Sequence, residues 1–489
     1  METRKEALGR IVGSMNVVDD PAVLAAYAND ESLVSPVVPW FVVRPGNADE
    51  VQRLVVWANE TGTPLVAVSS GPPHFHGDTV PSAPEAVIVD LGRMRAIKRI
   101  DRRNRIAVIE PGVTYAELDA ALGDRGLCIP RPLSPRANKS VVASLLERQP
   151  TLTPRLQYSL PEPLRACGVV WGTGEIAFTG EAGGGPLSLD EQWQRGQAQV
   201  DPKGPLATDL VRLLTGAQGS MGIVVWASVR LQLLPAAHRF RFVPAREIGD
   251  LLEFCHRLGR TRLGDEVVLL NAAQFARLVA KDAGEAARLA QGLPPWCVVI
   301  GLGGAAFFPE ERVAVAEKDL ESLVQAWGLR LLPGLPGVGS AELARTFRGC
   351  CEGTHWKLRE KGGATEIFFL TTLDRVPGFI DAVNVVARTH RYPTDAIGVC
   401  VQPQHTGTAQ HVEFTLPFDP RNRADVATAR GIHDQASRAL AREGAYFSRP
   451  YGAWADLVYS RDASARAVLR TAKRIVDPNN ILNPGKLCF

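Results

Sequence analysis

Apolar and polar positions along the chain follow two periods. Residues 40–71, "WFVVRPGNADEVQRLVVWANETGTPLVAVSSG", begin with a short apolar run. Val51, Leu54, Val55 and Ala58 then fall at helical spacing, and a second β-branched run follows. The pattern predicts strand, turn, helix and strand, with the turn at Pro45-Gly46 and a helix cap at Asn47 or Asp49. Residues 87–127 predict strand, connector, two strands, a turn at Pro111-Gly112 and a helix capped by Thr114. "CGVVWGTGEIAFTG" (167–180) reads as a hairpin, and "GSMGIVVWASVRLQLLP" (219–235) as a glycine-bracketed turn feeding a long strand. Beyond Pro235, helices such as "REIGDLLEFCHRLGR" mix with separated strands such as "EIFFLTT", "IGVCVQ" and "HVEFTLPF". That mixture predicts an α+β unit built on an antiparallel sheet. The polar, Gly-rich stretch 181–206 reads as a surface excursion, and the last helix is stopped by Asp477-Pro478.

Composition narrows the class. A chain of 489 residues exceeds one ordinary core, so two domains are expected. A net charge of +3 gives no reason to expect nucleic acid or an anionic membrane as partner. No stretch of about 18 apolar residues predicts a membrane span, and "METRKEALGRIVG" lacks the apolar region of a secretory signal. Eight cysteines without paired spacing predict a reduced, cytoplasmic chain, with Cys350 and Cys351 as spectator thiols.

One loop raises a chemical question. In "VAVSSGPPHFHGDTVP" (66–81) a small-residue loop links two apolar runs but carries two imidazoles, His74 and His76. Alone it fits a phosphate cradle or a metal site. His405 and His411 also invite a metal, but two histidines without further ligands are too few, so no metal is expected. No G-x-G-x-x-G opens a helix and no G-x-S-x-G elbow is present.

Taken in order, these segments and the C-terminal "DPNNILNPGK" resemble the vanillyl-alcohol oxidase / p-cresol methylhydroxylase (PCMH) flavoproteins. The resemblance implies a PCMH-type α+β fold. Residues 1–235, completed by 445–489, would form a two-part FAD-binding domain, and 236–444 an α+β cap with an antiparallel sheet. It implies FAD, with the pyrophosphate among backbone amides of the loop in question. Carried over position by position, Ser70, Gly71, His74, Phe75, His76 and Gly77 form that loop. Pro111 and Gly112 approach the nucleotide, Gly219, Ser220, Gly222 and Ile223 form a second flavin-side turn, and Lys486 closes the signature. Pro72 and Pro73 each remove an amide donor where the family has small residues.

On the substrate side the resemblance points to Arg449, beside the flavin or the substrate oxygen, with an ion pair to Asp456 as the structural alternative. Tyr451 lies two residues on, and His76 falls where close relatives place a phenol-binding tyrosine. The segment "SPRANK" (134–139) lacks the family's glycines and its aspartate, which leaves Glu413 as a candidate replacement base, with His411 on the same strand as a residue of the pocket wall or a satisfied core residue. Arg136 and Lys139 read as phosphate or acid ligands, or as a solvated basic loop. Glu366 stands where some relatives carry a histidine tether, so non-covalent FAD is expected. The function implied is an FAD-dependent oxidoreductase taking a hydride from a small phenolic or hydroxylated molecule. The alternative is a degenerate subunit with weakened FAD binding that scaffolds a complex. A cytochrome or iron–sulfur protein as electron acceptor, and a homodimer or hetero-oligomer, are the partner expectations.

Overall fold

A computed structural model describes residues 3–154, 163–183, 187–196, 209–404 and 407–489. The first sheet comprises β1 (Val17–Val18), β2 (Phe41–Val43), β3 (Leu65–Val68) and β4 (Val87–Asp90), in the order β1-β2-β4-β3. β4 runs parallel to both β2 and β3, which requires the crossover helix Ala48–Thr61 that the periodicity predicts. The Asn47 side chain caps that helix by accepting from the Glu50 amide at 2.9 Å, and Gly62 ends it in the left-handed region at φ 65°. Val51, Leu54, Val55 and Ala58 are fully buried. Each large apolar side chain of that stripe contributes roughly 1.5–3 kcal/mol, enough to seat the helix on the sheet.

The second sheet is antiparallel: β5 (Ile97–Asp101), β6 (Ile106–Ile109), β8 (Leu164–Trp171), β9 (Ile176–Phe178) and β10 (Gly222–Arg230), ordered β5-β6-β10-β8-β9. The predicted hairpin is β8–β9. A short pair joins β7 (Leu127–Cys128) to β11 (Gln232–Leu233). Thr114 and Glu117 form a capping box on the helix Tyr115–Gly123, which fixes the turn at Pro111-Gly112. A Cβ on Gly112 would lie 2.7 Å from the carbonyl oxygens of Leu91 and Met94, so glycine is required for this approach.

The third sheet has β12 (Ala237–Ala245), β13 (Glu266–Asn271), β14 (Trp296–Gly304), β15 (Gly363–Thr371), β16 (Gly398–Gln404) and β17 (Ala409–Phe418), ordered β12-β14-β13-β16-β17-β15. Every pairing in it is antiparallel, as the α+β expectation required. The helices Val376–Thr389 and Arg423–Arg442 bury Phe379, Val383, Ile432 and Leu440 in one core with Ile367, Phe369 and Phe414 of this sheet.

The tail returns to the first sheet. The Leu65 amide donates to Ile481 O at 2.7 Å, and the Asn483 amide to Leu65 O at 2.8 Å. The helix Ala463–Val476 ends at Asp477, as predicted, and there Lys473 and Asp477 form a buried ion pair. Lys473 Nζ also donates to Ser220 O and Leu482 O, while Asn483 Nδ2 donates to Asp78 O and Gln218 O. The C-terminal segment therefore ties together the two loops expected to meet the cofactor. No helix among the described residues is long and apolar enough to cross a membrane. Part of the stretch 181–206 (184–186 and 197–206) lies outside the described residues, as does His405.

Candidate active site

All three sheets contribute residues to the lining of one cavity. Ser70, His74, Phe75 and His76 line it, as do Pro111, Gly219, Gly222 and Ile223. Arg449, Tyr451, His411 and Glu413 line it too.

The remaining candidates stand behind this surface. The Gly71 amide donates to Asn138 O, the Gly77 amide to Asp30, and the Ser220 hydroxyl to Ala217 O. Gly112 backs onto Leu91 and Met94, and Lys486 Nζ donates to the Gly77 and Val80 carbonyls at 2.8 Å each. Their role is to shape the loops that carry the lining residues.

The opening loop fits a pyrophosphate. The amides of His74, Phe75 and His76 donate to no acceptor among the described residues, and these residues line the cavity. Backbone amides left without acceptors can bind an anion, and these three lie just after Pro72 and Pro73, which have no amide to offer. Burial, then Arg136 and Lys139, lower the His74 pKa to about 3, so its imidazole is neutral. Left-handed backbone at Gly216 and Gly219 (φ 76° and 70°) turns the second loop, which lines the same cavity.

The segment 134–139 is not a solvated basic loop. Arg136 and Lys139 are 7% and 8% exposed. Arg136 donates to Gly71 O and lies over the Phe75 ring, while Lys139 pairs with Glu147. The Ala137 amide donates to Cys351 O and the Cys351 amide to Pro135 O, which ties this segment to residues 350–351.

The substrate-side wall comes from one face of three neighbouring strands. Glu413 lies opposite Phe368 on β15 and Cys400 on β16, and His411 lies opposite Leu370 and Gln402. The period of two then puts His411, Glu413 and Thr415 on one face with Glu366, Phe368, Cys400 and Gln402. Lys357, from the turn Trp356–Leu358, reaches this face. Its Nζ donates to Glu366 Oε1 at 2.7 Å and to Glu413 Oε1 at 2.6 Å. Burial alone would lower the Lys357 pKa, but the two carboxylates overcome it and push the ammonium well above its usual range. Burial likewise would raise Glu413 and Glu366, and Lys357 overcomes it to hold both carboxyls below the usual carboxylate range.

His76 stacks on Tyr451 with ring centroids 4.5 Å apart, and its Nε2 and Nδ1 lie 3.8 Å from Glu366 and 3.9 Å from Glu147. His411 Nε2 is 3.9 Å from Glu413 Oε2. These gaps are too long for direct hydrogen bonds, and an oxygen between the partners could bond to both. Burial lowers the His411 pKa to about 4, so its imidazole is neutral at neutral pH. Arg449 is 4% exposed, and its guanidinium lies 4.0 Å from the Phe368 ring centroid. It forms no ion pair or side-chain hydrogen bond with the described residues, so the alternative pairing with Asp456 is not made. Tyr446, the other nearby tyrosine, is 61% exposed.

Lys357 and His355 were missed from the sequence, as was the placing of Glu147. Trp356 and Gln402 also carry buried donors without a protein partner at the cavity. The signal for Glu413 was present, in a strand of alternating polarity.

The comparisons agree with this geometry. Residues 39–148 match the FAD binding domain family, and residues 370–487 match the C-terminal domain of FAD linked oxidases. The chain is an FAD-linked oxidoreductase. It is 24% identical to a D-2-hydroxyglutarate dehydrogenase of Stutzerimonas stutzeri over 99% of this chain and 98% of the relative. It is 28% identical to the 4-cresol dehydrogenase [hydroxylating] flavoprotein subunit of Pseudomonas putida, over 97% and 93%. In fold it is similar to a 4-ethylphenol oxidase from Gulosibacter chungangensis, with a TM-score of 0.84 at 22% identity over 99% of this chain and 96% of that one. The cofactor of this FAD-linked family is FAD, which the free amides of residues 74–76 suit.

Proposed function

We propose that this flavoprotein oxidises a small phenol or aromatic alcohol, and that Arg449 holds the substrate oxygen as it becomes anionic. The observation that carries this reading is the buried, unpaired guanidinium of Arg449 on a cavity wall that includes the His76–Tyr451 stack. A desolvated guanidinium stabilises a developing oxyanion far more than one in water. FAD, when bound, supplies the two-electron acceptor. The chain's own residues handle the proton. His411 is neutral above about pH 4 and can accept it. Glu413 is the poorer acceptor, because Lys357 keeps it ionised and occupies Oε1, but Oε2 can steady the imidazolium that forms.

Within this reading the five residues Arg449, His76, Tyr451, Glu413 and His411 make up the substrate site. The FAD-binding part is 1–235 with 445–489, and the cap is 236–444. Glu366 stands where some relatives carry a histidine tether and is a carboxylate paired with Lys357, which supports non-covalent FAD. The relative named as a flavoprotein subunit supports a protein electron acceptor for this chain, and free cysteines are consistent with a cytoplasmic setting.

The test is turnover with an artificial electron acceptor on a panel of 4-alkylphenols, benzylic alcohols and 2-hydroxy acids. Phenol or aromatic alcohol turnover is expected, with Arg449→Ala lowering kcat/KM by about 10²–10³-fold. Turnover of 2-hydroxy acids alone would overturn the substrate assignment.

A further inference from the structure

A second cleft lies across a wall from the flavin cavity. Pro132 and Leu133 face the cavity, whereas Pro130 and Arg131 face the cleft. Its volume is about 750 Å³, in the range of small-molecule sites, about 300–1,000 Å³. One side is the β7–β11 pair, and the other is the edge of the six-stranded sheet near Asp265 and Gly303.

The carboxylates in this cleft are already engaged. Asp119 holds Arg131 through contacts of 2.6 and 2.8 Å. Glu266 Oε2 lies 2.9 Å from His238 Nε2, and Asp265 Oδ2 accepts from the Gly303 amide at 3.0 Å. The arginines are in the opposite condition. Arg105, Arg230, Arg262 and Arg348 reach the same cleft from four separate segments. None of their side chains forms an ion pair or hydrogen bond with the described residues. Arg312 adds a fifth guanidinium, whose Nε meets only the Phe307 carbonyl. Arg230 and Arg348 are half-buried, so water screens them incompletely.

The cleft gathers six arginines against three carboxylates, and five of the guanidiniums form no ion pair with the described residues, so an excess of positive charge is held around one concavity. A bound anion offsets that excess, and planar guanidiniums match phosphate and carboxylate through paired hydrogen bonds. We propose that this cleft binds a small polyanion, a molecule carrying two or more phosphate or carboxylate groups. It is separate from the flavin pyrophosphate site, whose donors are the amides of residues 74–76 on the other side of the wall. The backbone of that wall is shared: the Leu152 amide donates to Arg131 O at 2.9 Å, next to the Pro132–Thr151 bridge that backs the flavin cavity.

Isothermal titration of the FAD-loaded protein at low ionic strength tests the site, with pyrophosphate in one arm and citrate in the other. FAD loading keeps the first cavity filled. Binding in at least one arm is expected, and the better probe tells phosphate from carboxylate. Arg230→Gln/Arg348→Gln should weaken it by about tenfold or more with flavin absorbance unchanged. Arg262→Gln, at an exposed position, should weaken it in the same direction. Failure of both probes to bind at about 1 mM, or wild-type binding by the variants, would overturn the proposal.

Discussion

Replacing Lys357 by Met should destabilise the protein more than almost any other single change in the substrate wall. The side chains are similar in length, so the change removes charge and leaves volume. Lys357 is buried and lies 2.7 and 2.6 Å from Glu366 and Glu413. Each contact is worth roughly 6 kcal/mol of Coulomb attraction at an effective dielectric of about 20. Desolvation of three ions offsets most of that, and breaking such a buried pair is expected to cost about 3–5 kcal/mol. Against a total stability of about 5–15 kcal/mol, that is a large fraction.

The pH dependence gives the prediction its sign. In the wild type, Glu366 and Glu413 titrate below their usual range, so their contribution is present above the unfolded carboxylate pKa of about 4.3 and is lost as pH falls through the lower folded values. Without Lys357, burial and mutual repulsion raise the folded carboxyl pKa instead. The variant then gains stability as pH falls from neutrality towards about 4.3, while the wild type stays level. Urea denaturation of the FAD-loaded proteins at pH 7 and pH 5 measures the gap, which should be largest at pH 7. A triple variant, Lys357→Met/Glu366→Leu/Glu413→Leu, should recover most of the loss because no buried charge remains unpaired. A loss under about 1 kcal/mol at pH 7, in the range of an exposed pair, would refute the reasoning. So would a gap that does not shrink at pH 5.

Three other outcomes are expected. The acid limb of kcat/KM should fall at about pH 4, where the buried His411 takes up a proton, and His411→Asn should abolish that limb in a pH–rate profile. Gly112→Ala forces a Cβ to 2.7 Å from two carbonyl oxygens, and should lower the thermal midpoint by an amount equivalent to about 1–3 kcal/mol together with FAD retention. Denaturation and filtration should release all the flavin from the protein, read by absorbance of the filtrate and by an unmodified protein mass.

The sequence made the local architecture legible because local rules decide it. Asn47 and Thr114 each cap a helix through contacts three residues on, and the apolar stripe of Val51, Leu54, Val55 and Ala58 is the buried one. The order of such segments was enough to reach the fold and the FAD-linked family. Positions facing the cavity were legible where a turn carries them, as at His74–His76 and Gly219–Ile223.

Charge in the substrate wall was read less well, and the reason lies in what alternation means. In "HVEFT" His411, Glu413 and Thr415 alternate with Val412 and Phe414, the pattern of a strand with one face in water. Here the apolar face packs on the core and the polar face closes a cavity. The period is the same in both cases, and only the partner supplied from a distant segment separates them. Lys357 is that partner, and its own surroundings, "THWKLREKGG", have no period that would announce burial. Its ammonium becomes an interior charge only because β15 and β17 place two carboxylates on adjacent strands within reach of one turn. The same logic separates Arg449 from Lys357. One cation has two carboxylates and holds the wall in place, whereas the other has none among the described residues, which is why the proposed function gives it the substrate oxygen. A sequence prints both as basic residues, and the difference in function is the difference in what the fold brings to each.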